Sequence, residues 1–205
     1  MIRTVACGIS GGVDSAVSAF LLKKKFNVIG VFMKNWDDKD EKGKCSVDVD
    51  RADSKYVCEY LKIPFVEVNF VKEYWNNVFE ETLSSYEKGF TPNPDVLCNK
   101  HIKFNSFARF CLEKLEVDAF ATGHYARSSF GNFLEKANSK ETPLLMRPVD
   151  RVKDQSFWLC QINPKYLSKC IFPLADLTKI TVKKIAQEIG LTKTLSRKEV
   201  GFHNI

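Results

Sequence analysis

The sequence predicts a doubly wound α/β fold, with a mostly parallel sheet and a small helical annex at the C-terminal end. The first observation is that short apolar strands alternate with helical patterns between residues 4 and 122, an order typical of a parallel sheet covered by helices. The second is the segment 27–34, which is almost entirely apolar, as expected of a strand buried on both faces. The third is the length of 205 residues, enough for one core and a small annex.

Hydrophobic periodicity and turn residues give the order of the predicted elements. The predicted strands are 4–7, 27–34, 65–69 and 117–122. One predicted helix begins at Val13, and three others span 46–61, 71–86 and 100–115. The apolar and aromatic side chains of the 71–86 helix are expected to pack in the core; they are Tyr74, Trp75, Val78, Phe79 and Leu83.

The C-terminal third is predicted to hold a short hairpin and two helices. Residues 128–146 contain the loop and hairpin. Asp154 is expected to cap a helix through Gln161, and Thr178 is expected to open a last helix that Gly190 closes.

The composition is that of an ordinary globular protein, with 44% hydrophobic and 27% charged residues. No apolar run reaches the length of a membrane span, so no membrane partner is expected. The net charge of +6 is a mild basic bias, which is compatible with a nucleic-acid partner and does not establish one.

The chain has seven cysteines, an odd number, with neither a Cys-x-x-Cys pair nor a Cys/His cluster at zinc spacing. This pattern favours free thiols in a reducing compartment. Cys7, Cys58 and Cys111 stand among apolar residues and are expected to be small buried side chains.

The stretch Gly8–Ser15 (GISGGVDS) joins the first strand to the first helix. Adjacent glycines let the backbone approach an anion closely, and the free amides of a first helical turn favour negative charge. Ser10 and Ser15 add hydroxyl donors, and Asp14 is placed to cap the helix or to help hold a magnesium ion. A Walker A lysine and the three spaced glycines of a dinucleotide fingerprint are both missing.

The pattern Ser-Gly-Gly-Val-Asp-Ser instead resembles the PP-loop of ATP pyrophosphatases. The resemblance implies a fold of the adenine nucleotide alpha hydrolase type. It also implies that the loop holds the pyrophosphate that departs when ATP is cleaved between its α and β phosphates.

A second candidate site follows Pro92-Asn93-Pro94, a stiff loop that delivers Asp95 and Cys98 where a helix is expected to begin. A thiol at a helix N-terminus, with Lys100, His101 and Lys103 nearby, is expected to be biased toward thiolate. Asp95 opposes that bias but is a candidate proton carrier. The local sequence equally allows a buried cysteine beside a capping aspartate.

Five motifs, in the same order along the chain, resemble those of the tRNA-specific 2-thiouridylase family. Their residues are most similar to those of its mitochondrial members. The resemblance covers residues 3–190 and rests on SGGVDS, GVFMKNWD, TPNPDVLCNKHIKF, ATGHYAR and KDQSFWL. It implies an enzyme that uses ATP to replace the 2-oxygen of the wobble uridine of tRNA by sulfur. The implied partners are tRNA and a persulfide sulfur-donor protein, and the implied location is mitochondrial, otherwise cytoplasmic.

The resemblance also assigns roles by position. The implied contacts of ATP are Gly8, Ile9, Ser10, Gly11, Gly12, Val13, Asp14, Ser15, Met33 and Gly123. Cys98 matches the family nucleophile, with Asp95 beside it. The residues implied to face the target base or tRNA are Asn93, Pro94, Asp95, His124, Lys153, Asp154 and Gln155.

The C-terminal tail departs from the family pattern. Residues 1–190 are interpreted as the PP-loop domain and 191–205 as a tail, in which the family's second cysteine and further domains are expected to be absent. The family places that persulfide-carrying cysteine in a Gly-x-Cys-Phe-Ile segment, whereas 196–205 contains no cysteine, and Cys160 and Cys170 lie in other segments. The alternatives are a shortened form that binds ATP or tRNA without catalysis, and another PP-loop enzyme such as an amide-forming synthetase, which would not need Cys98.

Overall fold

A five-stranded parallel sheet forms the centre of the chain, and its strands lie in the order Phe65–Asn69, Asn27–Lys34, Thr4–Gly8, Ala119–Ala121 and Cys170–Ile171. The computed structural model describes residues 2–36 and 46–195. The sheet strands are β1 (Thr4–Gly8), β2 (Asn27–Lys34), β3 (Phe65–Asn69), β4 (Ala119–Ala121) and β7 (Cys170–Ile171). A separate antiparallel hairpin pairs β5 (Arg127–Ser128) with β6 (Leu145–Met146). The predicted doubly wound fold is confirmed, whereas β7 was not predicted, because two residues carry no readable periodicity.

Helices cover both faces of this sheet. The α-helices are α1 (Val13–Lys23), α2 (Ser46–Leu61), α3 (Val71–Tyr74), α4 (Glu80–Glu87), α5 (Pro94–Cys98), α6 (Pro164–Leu167), α7 (Lys179–Glu188) and α8 (Thr192–Leu195). Three π-helical segments, Trp75–Phe79, Asn99–Phe107 and Phe110–Lys114, continue α3 and α5, and Ser156–Leu159 is a 3-10 turn. Among the described residues no helix is long and apolar enough to cross a membrane.

Two helices differ from the sequence prediction, one of them because a side chain caps the backbone earlier than expected. The helix predicted at 100–115 begins at Pro94, since the Asn93 side chain accepts hydrogen bonds from the amides of Asp95 and Val96 at 3.1 and 3.2 Å. The helix predicted from Asp154 is only the 3-10 turn. Thr178 does cap α7, accepting from the Thr181 amide, as predicted.

Alternate residues of β1 face two separate cores, which is the expected result of a sheet covered on both sides. Val5 and Cys7 pack with α1, α2 and α7, whereas Ala6 packs with the helical stretch 94–114, and all three are fully buried. Cys58 and Cys111 lie in these two cores. The three buried cysteines are therefore confirmed.

The aromatic helix at 71–87 is only partly a core element. Tyr74 and Val78 are buried, but Trp75 and Leu83 are each 46% exposed. Trp75 instead stacks on Trp36, with ring centroids 6.2 Å apart. The prediction that all five apolar side chains are core residues is wrong for this outer face of the helix.

The strand order places a topological switch point between β1 and β4. The chain runs from β1 outward through β2 and β3 and then returns to β4 on the other side of β1. In open parallel sheets, ligands bind outside the carboxyl ends of the strands at such a point. The loops that follow β1 and β4 are therefore the first place to look for a site.

Candidate active site

The loop after β1 has the backbone of an anion cradle. Gly11 has φ +76°, a conformation that strongly favours glycine, and Gly12 is extended and precedes the first helical residue, Val13. The Ser15 hydroxyl donates to the Gly12 carbonyl at 3.0 Å and accepts from the Ser10 amide at 3.2 Å. The first amides of α1 have no partner within the helix, so the loop presents donors to a phosphate.

Asp14 does not cap α1, which corrects one of its two predicted roles. Gly12 occupies the capping position, and no side chain there accepts a hydrogen bond. Asp14 instead accepts from the Lys179 ammonium at 2.6 Å with one oxygen and from the Tyr125 hydroxyl at 2.9 Å with the other. Each Asp14 oxygen thus accepts one hydrogen bond, and the described residues contain no cluster of three or more His, Cys, Asp or Glu side chains suited to a metal.

Met33 and Gly123 lie against this loop, as the resemblance implies for nucleotide contacts. The Met33 methyl is 3.4 Å from where a Cβ on Gly8 would stand. A Cβ on Gly123 would stand 3.0 Å from the Ser15 backbone nitrogen. Glycine at 123 therefore allows the turn after β4 to touch the first turn of α1.

Sequence reasoning missed two supports of the loop. Ser54 is fully buried on α2, and its hydroxyl donates to the Ile9 carbonyl at 3.2 Å. Lys179 is only 8% exposed and forms the ion pair with Asp14. Ser54 stands in an otherwise ordinary helical pattern, and Lys179 is 165 residues from its partner, so neither gave a local signal.

Cys98 is not at a helix N-terminus, and its thiol is not biased toward thiolate in this state. Because α5 begins at Pro94, Cys98 is its fifth residue, and the thiol is 4% exposed. Burial raises the pKa of Cys98, Asp95 raises it further, and Lys103 acts in the opposite direction. The expectation of a bias toward thiolate is therefore wrong, while the opposing effect of Asp95 is confirmed. The alternative of a buried cysteine is the one observed, although Asn93 rather than Asp95 caps the helix.

Lys103 connects the Cys98 helix to the turn after β4. Its ammonium is 3.5 Å from Nε2 of His124, and Nδ1 of His124 is 2.9 Å from the Thr122 hydroxyl. Burial lowers the pKa of His124 well below its usual 6.5, and the Lys103 charge adds to that effect. The imidazole is therefore neutral at physiological pH and is oriented by two neighbours.

This lowered pKa predicts a loss of stability on mild acidification. The unfolded state takes up a proton near pH 6.5 that the folded state refuses, so stability falls as the pH drops below that value. The slope approaches about 1.4 kcal/mol per pH unit for one proton. We expect the free energy of unfolding of the His124→Asn variant, measured with denaturant between pH 7 and 5, to fall less steeply with decreasing pH than that of the wild type.

The matched control is His101→Asn. Burial also lowers the pKa of His101, but Glu81 partly offsets the effect, so this variant should flatten the slope less. Asp118, Asp150 and Asp154 have lowered pKa values, and their contributions disappear only near or below pH 3.8. A slope that His124→Asn leaves unchanged would contradict the assignment.

The segment Lys153-Asp154-Gln155 is held on all sides rather than projecting freely. Asp150 accepts from the amides of Val152 and Lys153 at 3.0 Å each. Asp154 pairs with Arg147 and also accepts from the Ser156 amide and hydroxyl. The Gln155 side-chain oxygen accepts from the Tyr125 amide at 3.0 Å.

A groove of about 560 Å³ lies beside this segment. Its lining residues are Leu145, Met146, Arg147, Arg151, Asp154, Ser156, Phe157 and Trp158. The Asn99 side chain, next to Cys98, donates to the Trp158 carbonyl at 3.1 Å, so the groove adjoins the Cys98 helix. Cys160 follows this turn and is exposed.

A parallel sheet with a Ser-Gly-Gly-Val-Asp-Ser loop at its switch point is the α/β fold that the PP-loop resemblance predicts. The family model described as the tRNA methyl transferase HUP domain matches residues 3–201. The chain belongs to this family.

Curated relatives agree with the resemblance that the five motifs predicted. The chain is 51% identical over 213 residues to mitochondrial tRNA-specific 2-thiouridylase 1 of Gallus gallus, covering 96% of this chain and 50% of that protein. It is 48% identical over 214 residues to the Homo sapiens protein of the same name, covering 97% and 51%. It is 48% identical over 202 residues to the tRNA-specific 2-thiouridylase MnmA of Blochmanniella floridana, covering 98% and 53%. The chain thus spans about half the length of the curated relatives it matches.

Two solved structures share the fold. The U34-tRNA thiolase NcsA of Methanococcus maripaludis has a TM-score of 0.55 at 19% identity, covering 99% of this chain and 61% of that one. A predicted subunit of tRNA methyltransferase from Methanocaldococcus jannaschii has a TM-score of 0.53 at 16% identity, covering 91% and 75%. At these identities the likeness concerns the fold alone.

Proposed function

We propose that this chain catalyses the ATP-dependent 2-thiolation of the wobble uridine of tRNA. The observation that carries the proposal is the contact between the two candidate sites. Lys103, on the Cys98 helix, reaches His124, whose neighbour Gly123 touches the first turn of α1. The proposed phosphate cradle and the cysteine–aspartate pair thus lie at one end of one sheet. The sequence of the chain is about 50% identical to proteins named tRNA-specific 2-thiouridylases.

The proposed reaction has two stages, which are adenylation of the 2-oxygen and its replacement by sulfur. The 2-oxygen of uridine attacks the α phosphate of ATP, and pyrophosphate leaves into the loop. A sulfur nucleophile then attacks C2, the C2–O bond breaks, and AMP leaves with the former 2-oxygen. When the nucleophile is a persulfide on Cys98, a thiol of the donor protein then attacks the Cys98 sulfur, which breaks the S–S bond, releases 2-thiouridine and leaves a disulfide. Adenylation is needed because a carbonyl oxygen is a poor leaving group, and the loop amides stabilise the charge that develops on the departing pyrophosphate.

The roles of this chain's residues follow from their positions. Residues 8–15, with Met33 and Gly123 packed against them, hold the ATP phosphates, and magnesium enters with those phosphates rather than in a preformed cage. Cys98 is the candidate nucleophile, and Asp95 is the candidate proton carrier one helical turn away. Asn93 and Pro94 face the target base, as the resemblance implies.

The buried thiol of Cys98 places a condition on this mechanism. At 4% exposure it must be uncovered before a persulfide donor can reach it. Lys103 is the charge that favours its thiolate. We therefore propose that tRNA binding at the groove next to Asn99 is what opens the site, because the turn lining the groove packs directly on this helix.

The Lys153 segment is the proposed tRNA contact, and it predicts a change in salt dependence. Lys153→Ala should weaken tRNA binding and reduce the slope of log affinity against log salt by about 0.7–0.9, the value for one phosphate contact. Filter binding across a salt series measures both quantities. The control is Lys114→Ala, which changes an exposed lysine at the C-terminal end of the long helix that contains Cys98. Equal slopes and affinities for wild type and Lys153→Ala would refute the contact.

A persulfide donor protein is the proposed partner. The predicted absence of the second cysteine concerns residues 196–205, which lie outside the described residues. Since residues 196–205 contain no cysteine where the resemblance places the persulfide carrier, we propose that the 205-residue polypeptide transfers sulfur poorly from a protein relay. By likeness to the relatives named mitochondrial, we propose a mitochondrial location.

The test is formation of 2-thiouridine in a tRNA transcript with uridine at the wobble position. The 205-residue chain is incubated with ATP, magnesium and inorganic sulfide, which bypasses the relay. Mass spectrometry of the nucleosides should show 2-thiouridine only when ATP is present, with equal amounts of AMP and pyrophosphate. Formation of ADP and phosphate, or no dependence of ATP cleavage on tRNA, would reject the proposal.

A further inference from the structure

We infer that Tyr125 and Lys179 are positioning residues that couple the ATP loop to the tRNA segment through Asp14. Both side chains bind the same carboxylate, and both also hold the segment 150–155. The inference rests on the proposed function, since it assigns ATP to the loop and tRNA to the segment. Neither residue is proposed to touch the reacting atoms.

Tyr125 provides the shorter connection. Its hydroxyl donates to Oδ1 of Asp14 at 2.9 Å, while its amide donates to the Gln155 side-chain oxygen at 3.0 Å. The Gln155 amide donates in return to the Tyr125 carbonyl at 2.9 Å. The residue is 2% exposed, so the ring has little freedom to move independently of either partner.

Lys179 provides the second connection. Its ammonium donates to Oδ2 of Asp14 at 2.6 Å, and its backbone amide donates to Oδ2 of Asp150 at 2.8 Å. The other oxygen of Asp150 fixes the amides of Val152 and Lys153. These backbone hydrogen bonds lower the pKa of Asp150, so the carboxylate that organises the turn is charged.

The coupling follows from charge. Phosphates bound to the loop bring negative charge beside Asp14, and the Lys179 ammonium, held on that carboxylate at 2.6 Å, offsets the repulsion between the two negative groups. Any shift of Asp14 is transmitted to residues 150–155, because Tyr125 and Lys179 hold both. Since coupling between two binding sites is reciprocal, tRNA that fixes the segment also fixes the loop and tightens ATP binding by the same factor.

The experiment measures this factor directly. The 205-residue chain is titrated with α,β-methylene ATP and magnesium, with and without a saturating anticodon stem-loop RNA that carries uridine at the wobble position. The analogue resists cleavage between its α and β phosphates, so only binding is observed. The RNA should tighten analogue binding at least about 5-fold in the wild type, within the usual range for coupled sites.

The variants separate coupling from binding. Tyr125→Phe removes only the hydroxyl, and Lys179→Met is an independent variant. Each variant should lower the ratio of analogue affinity with RNA to analogue affinity without RNA at least about threefold. The double variant should bring this ratio to one. The control is Tyr60→Phe, whose hydroxyl donates to the Ile189 carbonyl at 2.7 Å away from both sites and which should keep the wild-type ratio.

The possible failures are distinguishable. If the wild type binds both ligands without coupling, or if Tyr125→Phe and Lys179→Met keep the wild-type ratio, the inference is overturned and the proposed function stands. If the wild type does not bind the analogue or the stem-loop, the proposed function is overturned and the inference with it.

Discussion

A Gly12→Val variant is expected to lose ATP affinity by at least about 100-fold, or roughly 2.7 kcal/mol, while its fold remains intact. Gly12 is extended, with φ −80° and ψ 161°, a conformation that valine adopts readily. A Cβ at this position would meet only the Ser10 hydroxyl, at 3.5 Å. The protein therefore tolerates the added side chain, whereas a phosphate that must approach the loop backbone does not.

Thermal unfolding provides the control for this variant. Valine is a poorer helix-capping residue than glycine, so a fall in Tm of about 2–4 °C is expected and no more. The contrasting variant is Gly123→Ala, whose Cβ would be 3.0 Å from the backbone of α1 and which should destabilise the fold itself. If Gly12→Val binds ATP as tightly as the wild type, residues 8–15 are not a phosphate cradle.

A Cys98→Ser variant is expected to lower tRNA thiolation from a low-molecular-weight persulfide, which needs no protein relay, by about 1,000-fold or more, because serine cannot carry sulfane sulfur. ATP and tRNA binding should change little, since the hydroxyl fills the same buried position. The measurement is the rate of 2-thiouridine formation under single-turnover conditions. An amide-forming PP-loop enzyme would have no need of this thiol.

Cys160→Ser is the matched control, because Cys160 is an exposed thiol near the same groove. It should retain wild-type activity. Activity that survives in Cys98→Ser would exclude Cys98 as the nucleophile. Activity that disappears in Cys160→Ser would show that the sulfur carrier is on the 3-10 turn instead. Chemical labelling adds a second readout, since Cys160 should react with alkylating reagents well before the buried Cys98.

Much of the sheet could be predicted from the sequence because its strands are regular and apolar. The predicted bounds of β2 and β3 are those observed, as are those of α2, whose helical periodicity is uninterrupted. The turn at Gly11-Gly12 was also predictable, because adjacent glycines between a strand and a helix have few other uses. Local patterns of this kind are determined by neighbouring residues.

The electrostatics of the site could not be predicted in the same way. The sequence places Cys98 near three basic residues, but whether the thiol is buried depends on elements such as the Trp158 turn, 60 residues further along the chain. Asp14 looked like a capping residue or metal ligand, because Lys179 and Tyr125 are distant in sequence. Burial and long-range ion pairs determine pKa values and partners, and neither leaves a local pattern.

The central claim is that ATP activates the 2-oxygen of the wobble uridine, and the fate of that oxygen tests it most directly. A tRNA labelled with ¹⁸O at the 2-position of this uridine is incubated with the 205-residue chain, ATP, magnesium and sulfide. Mass spectrometry of the nucleotide products then locates the label. The account predicts one ¹⁸O atom in AMP for each 2-thiouridine formed. Label in water or pyrophosphate, with unlabelled AMP, would contradict it.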